Sequence, residues 1–327
     1  MSNFMRLRTP ATIVAISLFT GCLLLACTTV EDAETSEPQA RELLTMPTVA
    51  VSETSTPSQG QGERETIIVR LTKADYEQVA PLEAVDVIEY RSFVWLELTE
   101  EGFNELTASG VDFERPPAPA TLDFRGYQFD TRSEEPTVPA EQRAQFTPGI
   151  PSFHVVQLKG PVKGEWLDQL QDLGLELVQP HPPHAYVVRM VPEQTATVEA
   201  FDFVRWVGPY HPAFKITSLL QEVVEGPVPS GVRIDSGKIE NVIVMVYKGD
   251  EAGATLADTV EAVEALGGEL INRMPRIQAD VPLATATFRL PVAAIVPTAQ
   301  LNNVLLLDYS YPEPVLDVEP DEGSGEP

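Results

Sequence analysis

The stretch Phe203–Ile216, "FVRWVGPYHPAFKI", gathers an arginine, a tryptophan, a tyrosine, a histidine and a lysine in one short run. Arg205, Trp206, Tyr210, His211 and Lys215 are residue types that bind ligands or move protons. The same run also reads as a strand and its exit. Phe203, Arg205 and Val207 alternate with Val204 and Trp206, giving a strand with two different faces. Gly208-Pro209 is expected to break that strand, and Pro212 to keep the exit extended. Tyr210 and His211 then fall in an exit loop. There they can dock against their own module, which makes the stretch its closing strand and latch. Trp206, Tyr210 and His211 are also the place where an aromatic contact to a partner is expected, and none of the cluster is catalytic.

Two further motifs invite chemistry. Histidine is scarce, and "HPPH" puts His181 and His184 in one proline-rich turn, with His154 and His211 elsewhere. A zinc site needs several converging ligands, so an ordinary turn is the expectation and no metal is assigned. "IDSG", Ile234 to Gly237, carries the D-S-G of aspartic proteases and of subtilisin-like proteases. The first needs a paired carboxylate motif or a symmetric dimer, the second an assembled Asp, His and Ser. Neither companion motif is present, and a turn around Asp235 is expected. Without a glycine-rich phosphate loop or a Cys-x-x-Cys pair, no cofactor is expected.

The elements that would position these residues follow one order three times. "TIIVRL" is a strand, and Thr72 with Asp75 starts a short helix. "VDVIEY" and "FVWLEL" are strands, "TEEGFNEL" is a helix with Glu100 and Glu101 in its first turn, and "VDFE" is a last short strand. "FHVVQL" opens the second round. A helix follows with Trp166, Leu170 and Leu173 at helical spacing, closed by Gly174. "LELVQ", "AYVVRM", a helix begun by Pro192 and "FVRWV" complete it. "VIVMVY", a helix bearing Leu256, Val260, Val263 and Leu266, then "ELIN", "ATATFRL", a short helix after Pro291 and "VLLLDY" make the third.

A β-α-β-β-α-β order predicts a four-stranded antiparallel sheet with both helices on one face. The expected fold class is therefore α+β, as tandem small ferredoxin-like modules. The first covers residues 66–115, the second 152–217 and the third 240–312. Residues 116–151 and 218–239 read as linkers, although Leu122, Phe124, Tyr127 and Phe129 could pack on a neighbour. Residues 313–327 read as an acidic disordered tail.

The chain has 327 residues, a net charge of −27 and 29 prolines. So acidic a surface repels phosphate backbones, which excludes nucleic acid as a partner. At the N-terminus, Arg6 and Arg8 precede an apolar run from Ala11 to Ala26, shorter than the ~20 residues that span a bilayer. It ends in Leu24-Leu25-Ala26-Cys27, which resembles a bacterial lipobox. Residues 1–26 read as a lipoprotein signal peptide, Cys27 as the lipidated residue, and residues 27–65 as a disordered tether. The expected setting is the cell envelope, extracytoplasmic, with the membrane reached through the lipid. Cys22, the other cysteine, leaves with the signal, so no disulfide is expected.

"VVQLKGPV", "LGLELV", "AYVVRM" and "FVRWVGPYHPAFKI" resemble the N-terminal regions of some large bacterial and archaeal subtilisin-like serine proteases. "VIVMVYKGD", "EALGGELI" and "NNVLLLDY" are similar to a second part of that region. The resemblance implies propeptide-like, ferredoxin-like modules that precede a catalytic domain and fold it, inhibit it or contact other proteins. The protease triad is not in this chain, so no catalytic residue carries over. Three functions are expected in turn. The first is a non-enzymatic anchored protein that binds proteins or peptides. The second is a separate inhibitor or folding chaperone of a subtilisin-like protease, although the prolines of "SYPEPV" oppose strand addition in a protease cleft. The third is a degenerate protease precursor.

Overall fold

Local signals in the sequence set most element boundaries. The computed structural model describes residues 66–226, 228–247, 252–274 and 282–311, all within one compact unit. Cys27, the signal segment 1–26, the tether 27–65 and the tail 313–327 lie outside the described residues, as do residues 248–250. Strand β1 (Ile67–Thr72) ends in Thr72, whose hydroxyl accepts the Asp75 N–H and caps α1 (Lys73–Val79). Strands β2 (Ala84–Glu89) and β3 (Phe93–Leu98) follow. Thr99 caps α2 (Glu100–Ser109), and Gly110 closes it at φ 74°. The first sheet has the order β1-β3-β2. The expected last strand of this round, "VDFE", is reduced to one bridge, Arg70 with Glu114.

The segment 116–151, expected as a linker, carries structure instead. Strands β4 (Thr121–Phe124) and β5 (Tyr127–Asp130) form a hairpin. Leu122, Phe124, Phe129 and Val138 are all buried there. Alternate apolar residues on two short strands give the hairpin one core-facing side, and it lies on the middle sheet.

The middle sheet comprises β6 (Ser152–Leu158), β7 (Glu176–His181), β8 (Ala185–Met190) and β9 (Val204–Pro209), ordered β7-β8-β6-β9 and antiparallel throughout. Helices α3 (Gly164–Asp172) and α4 (Thr195–Glu199) cover one face with Trp166, Leu170 and Val198, against Val156, Leu158, Val188 and Met190. The other face presents Val155 and Val187 to the hairpin. That is why every residue of β6 is buried.

Beyond β9 come α5 (Pro212–Lys215) and α6 (Ser218–Glu225). The segment 218–239 is thus no bare linker either, because Leu220 and Val223 of α6 enter the core of the third sheet. Strand β10 (Ile234–Asp235) pairs with the start of β11 (Lys238–Tyr247) through a tight turn with Ser236 at φ 51° and Gly237 at φ 79°. The "IDSG" motif is that turn, and positive φ at both central residues is the hairpin requirement. Helix α7 (Ala252–Ala265), β12 (Glu269–Met274), β13 (Leu283–Pro291), α8 (Ile295–Gln300) and β14 (Val304–Tyr309) complete the chain. The third sheet runs β10-β11-β13-β12, with β14 on the other side of β11.

The fold is therefore mixed α and β, with several small antiparallel sheets. Their registers share a detail that hydrophobic pattern does not reveal. In each sheet the strand paired to the outside of the third has an irregularity near its start, at Val85, Val178 and Ile271. In β9 and β14 the pairing skips one residue each, Arg205 and Leu305. Such bulges bend a strand and re-aim a side chain.

Candidate functional site

The bulge at Arg205 decides what the Phe203–Ile216 cluster can do. Because Arg205 is skipped, Val204 and Val207 both join the helix-side core, and strict alternation along the strand fails. Arg205 swings to the first sheet, where its Nη2 meets Glu97 at 2.8 Å and donates to the Lys159 carbonyl at 3.2 Å. Burial pushes the Glu97 carboxyl up, but hydrogen bonds from Arg205 and Thr66 outweigh it and hold the group below its usual range. Around this pair the Trp95 Nε1 donates to Lys159, the Tyr90 hydroxyl to Pro161, and Lys159 faces Asp86 at 2.9 Å. Arg205 is thus a structural cation joining two sheets.

Trp206 and Tyr210 go the opposite way, into the core beneath the hairpin. The Trp206 indole meets the Phe129 ring at 5.4 Å and lies across Gly208. A Cβ at Gly208 would stand 2.1 Å from that ring, so the glycine makes room for the tryptophan. The strand also continues through Gly208 to Pro209 where a break was expected. Tyr210 is only 2% exposed, packed among Phe124, Phe153 and Phe214. His211 is 8% exposed, and its Nδ1 accepts the Ala144 N–H at 3.0 Å. Burial, then Arg143, lowers its pKa to about 4. The proposed partner contact through Trp206, Tyr210 and His211 is therefore corrected: the hairpin and the 138–147 segment occupy the surface these side chains would have offered.

The "HPPH" histidines part company as well. His181 stacks on Phe124 at 3.9 Å, and His184 packs edge-on to Trp95 of the first sheet at 5.2 Å. Among the described residues no group of His, Cys, Asp and Glu is placed to hold a metal.

Lys215 is the remaining member, and it lines a cleft of about 280 Å³. The floor is buried and formed by Ser152, Phe153, Tyr210 and Lys215. The rim is exposed and includes Arg143, Phe146 and Asn302. Two amides hold its walls together: Gln300 Nε2 donates to Glu141 O at 2.8 Å, and Asn302 Nδ2 to Pro151 O at 2.7 Å. Lys215 is 4% exposed. Its Nζ donates to the Leu301 carbonyl at 3.3 Å and lies 5.4 Å from the centre of the Phe153 ring. No carboxylate among the described residues pairs with it. Burial, then Arg189, lowers its pKa to about 7. A lysine in a run of aromatic residues gave the only sequence signal for this site, since the rest of its lining comes from distant segments.

A family model described as a domain of unknown function, DUF8729, matches residues 123–211. The matched span starts inside the β4–β5 hairpin and ends at His211. No curated protein matches the chain. No helix among the described residues is long and apolar enough to cross a membrane.

Proposed function

We propose that this chain is a non-enzymatic, extracytoplasmic lipoprotein that binds proteins or peptides through open sheet edges. Cys27 carries the lipid, and the folded part is built of three tandem ferredoxin-like modules akin to subtilisin propeptides. The strand orders support the repeat: reading each round as strands one to four, the middle and third sheets are ordered 2-3-1-4, and the first is 2-3-1. The shared bulges at Val85, Val178 and Ile271 support it further.

The observation that carries a binding role is the state of two edge strands. On β2, Val85 is 60% and Val87 43% exposed, and on β12, Ile271 is 48% and Met274 52% exposed. Among the described residues each strand is paired on one side only. An extended segment of a partner adds to such an edge by main-chain hydrogen bonds, with alternate side chains supplying specificity. Soluble proteins usually blunt edges with charge and bulges. Both strands have these, and the exposed apolar residues stand among charged ones, Glu89 on β2 and Glu269 and Arg273 on β12.

The test is capture of envelope proteins by the full chain, compared with Val87→Lys and Ile271→Lys. Both changes sit on exposed positions and should leave folding intact. At least a tenfold loss of the captured partner in either variant is expected. Undiminished capture by both variants overturns the edge-strand reading. Identification of a subtilisin-like protease as the partner would select the inhibitor or chaperone role.

A further inference from the structure

The cleft over Lys215 is separate from both edges and has a different chemistry. The chain carries a net charge of −27, yet among the described residues no Asp or Glu lines this cleft. Two cations do: Lys215 on the floor and Arg143 on the rim. Arg143 has one hydrogen bond, from Nε to the Val138 carbonyl at 3.4 Å, and its other guanidinium nitrogens have no partner among the described residues. Ser152, 8% exposed, also lines the cleft, and its buried Oγ has no hydrogen-bond partner among the described residues. A buried ammonium without a counter-charge and a buried hydroxyl without a partner both cost stability. One anionic oxygen pair entering the cleft answers both. Phe153 beside the lysine and Phe146 at the mouth give the anion an apolar body to rest on.

We infer that this cleft binds a small organic carboxylate, its charge held by Lys215 and Arg143 and its apolar body packed against Phe153 and Phe146. One floor cation and aromatic walls suit a monoanion with a hydrophobic part better than a phosphate, which needs more donors around it. Among the described residues the titratable and charged groups placed with Lys215 are Arg189 from β8, Arg143 from the rim segment and Tyr210 on its own segment. None of these is an acid near neutrality. A bound carboxylate favours the ammonium form, so binding should draw a proton from solution when measured near pH 8.

The test uses the full chain and sodium benzoate, at ionic strength held constant with chloride. Benzamide serves as the neutral isostere and sulfate as the generic anion. Benzoate at about ten times its dissociation constant should raise the thermal midpoint by roughly 4 °C. Calorimetry in two buffers of different ionisation enthalpy should show proton uptake at pH 8. Lys215→Met should fold, since it replaces an unpaired buried charge by an apolar side chain of similar length, and should lose the benzoate shift. Arg143→Gln, on the exposed rim, should weaken benzoate about tenfold and guards against a folding defect at position 215. Val87→Lys and Ile271→Lys should bind benzoate normally, which separates this site from the edge strands. No shift with benzoate, an equal shift with benzamide or sulfate, or an unchanged shift in both cleft variants overturns the assignment.

Discussion

Arg205 and Leu305 occupy the same place in two sheets, each the skipped residue of a last strand. Their side chains do opposite things. Arg205 reaches back to the first sheet and ends in an ion pair with Glu97, with Tyr90, Trp95 and Lys159 hydrogen-bonded around it. Leu305 is 1% exposed in the core shared by the hairpin and the middle sheet, and its carbonyl accepts from the Tyr210 hydroxyl at 3.4 Å. One backbone device thus builds two junctions, a polar one and an apolar one. A polar junction demands that every partner be satisfied, whereas an apolar one demands only volume.

The comparison breaks hardest at the polar junction. Arg205→Ala should destabilise the protein by about 3–5 kcal/mol, because Glu97 is left charged and buried. The double change Arg205→Met with Glu97→Leu should recover most of that loss in chemical unfolding, which separates the cost of an orphaned charge from the worth of the pair. At the apolar junction Leu305→Ala should cost about 2–5 kcal/mol, with no rescue from any single partner change.

pH sharpens the contrast next. All four histidines have pKa values lowered, first of all by burial. The unfolded chain therefore binds more protons than the folded one below about pH 6.5, so stability falls as pH drops. His211, held to about 4, should alone account for about 2 kcal/mol between pH 7 and 4.5. Unfolding of His211→Gln should show a shallower pH dependence over that window. Glu97 acts at lower pH still. Its lowered pKa gives stability that is present above the unfolded carboxylate range and is lost as pH falls through the folded value. The smallest effect belongs to the pair Arg70–Glu114, both largely exposed, where Arg70→Ala should change stability by less than about 1 kcal/mol.

Strands and helices were legible because their signals are local. Thr72 and Asp75 mark a cap, Gly110 and Gly174 mark helix ends, and "AYVVRM" coincides with β8. The junctions were not legible. Alternation placed Arg205 with Phe203 and Val207, but a bulge is a property of two strands in register and leaves no mark in one of them. Residues 116–151 read as a linker because their proline content hides a hairpin whose apolar residues gain burial only against another sheet. The tyrosine and histidine after β9 looked available for a partner because the sequence does not say that the hairpin covers them. Lys215 was seen, whereas Ser152, Arg143 and Asn302 joined it only in three dimensions.

The core that joins Leu122 to Leu305, far apart in the sequence, also sets an order of events in time. The hairpin emerges from synthesis well before the last strand that completes its surroundings. Until β14 arrives, Tyr210 and Phe214 lack part of their cover, and the half-built layer presents aromatic surface to other chains. Contacts of such sequence separation are the slow ones to form. A chain built this way commits to its final form only after β14 has been made.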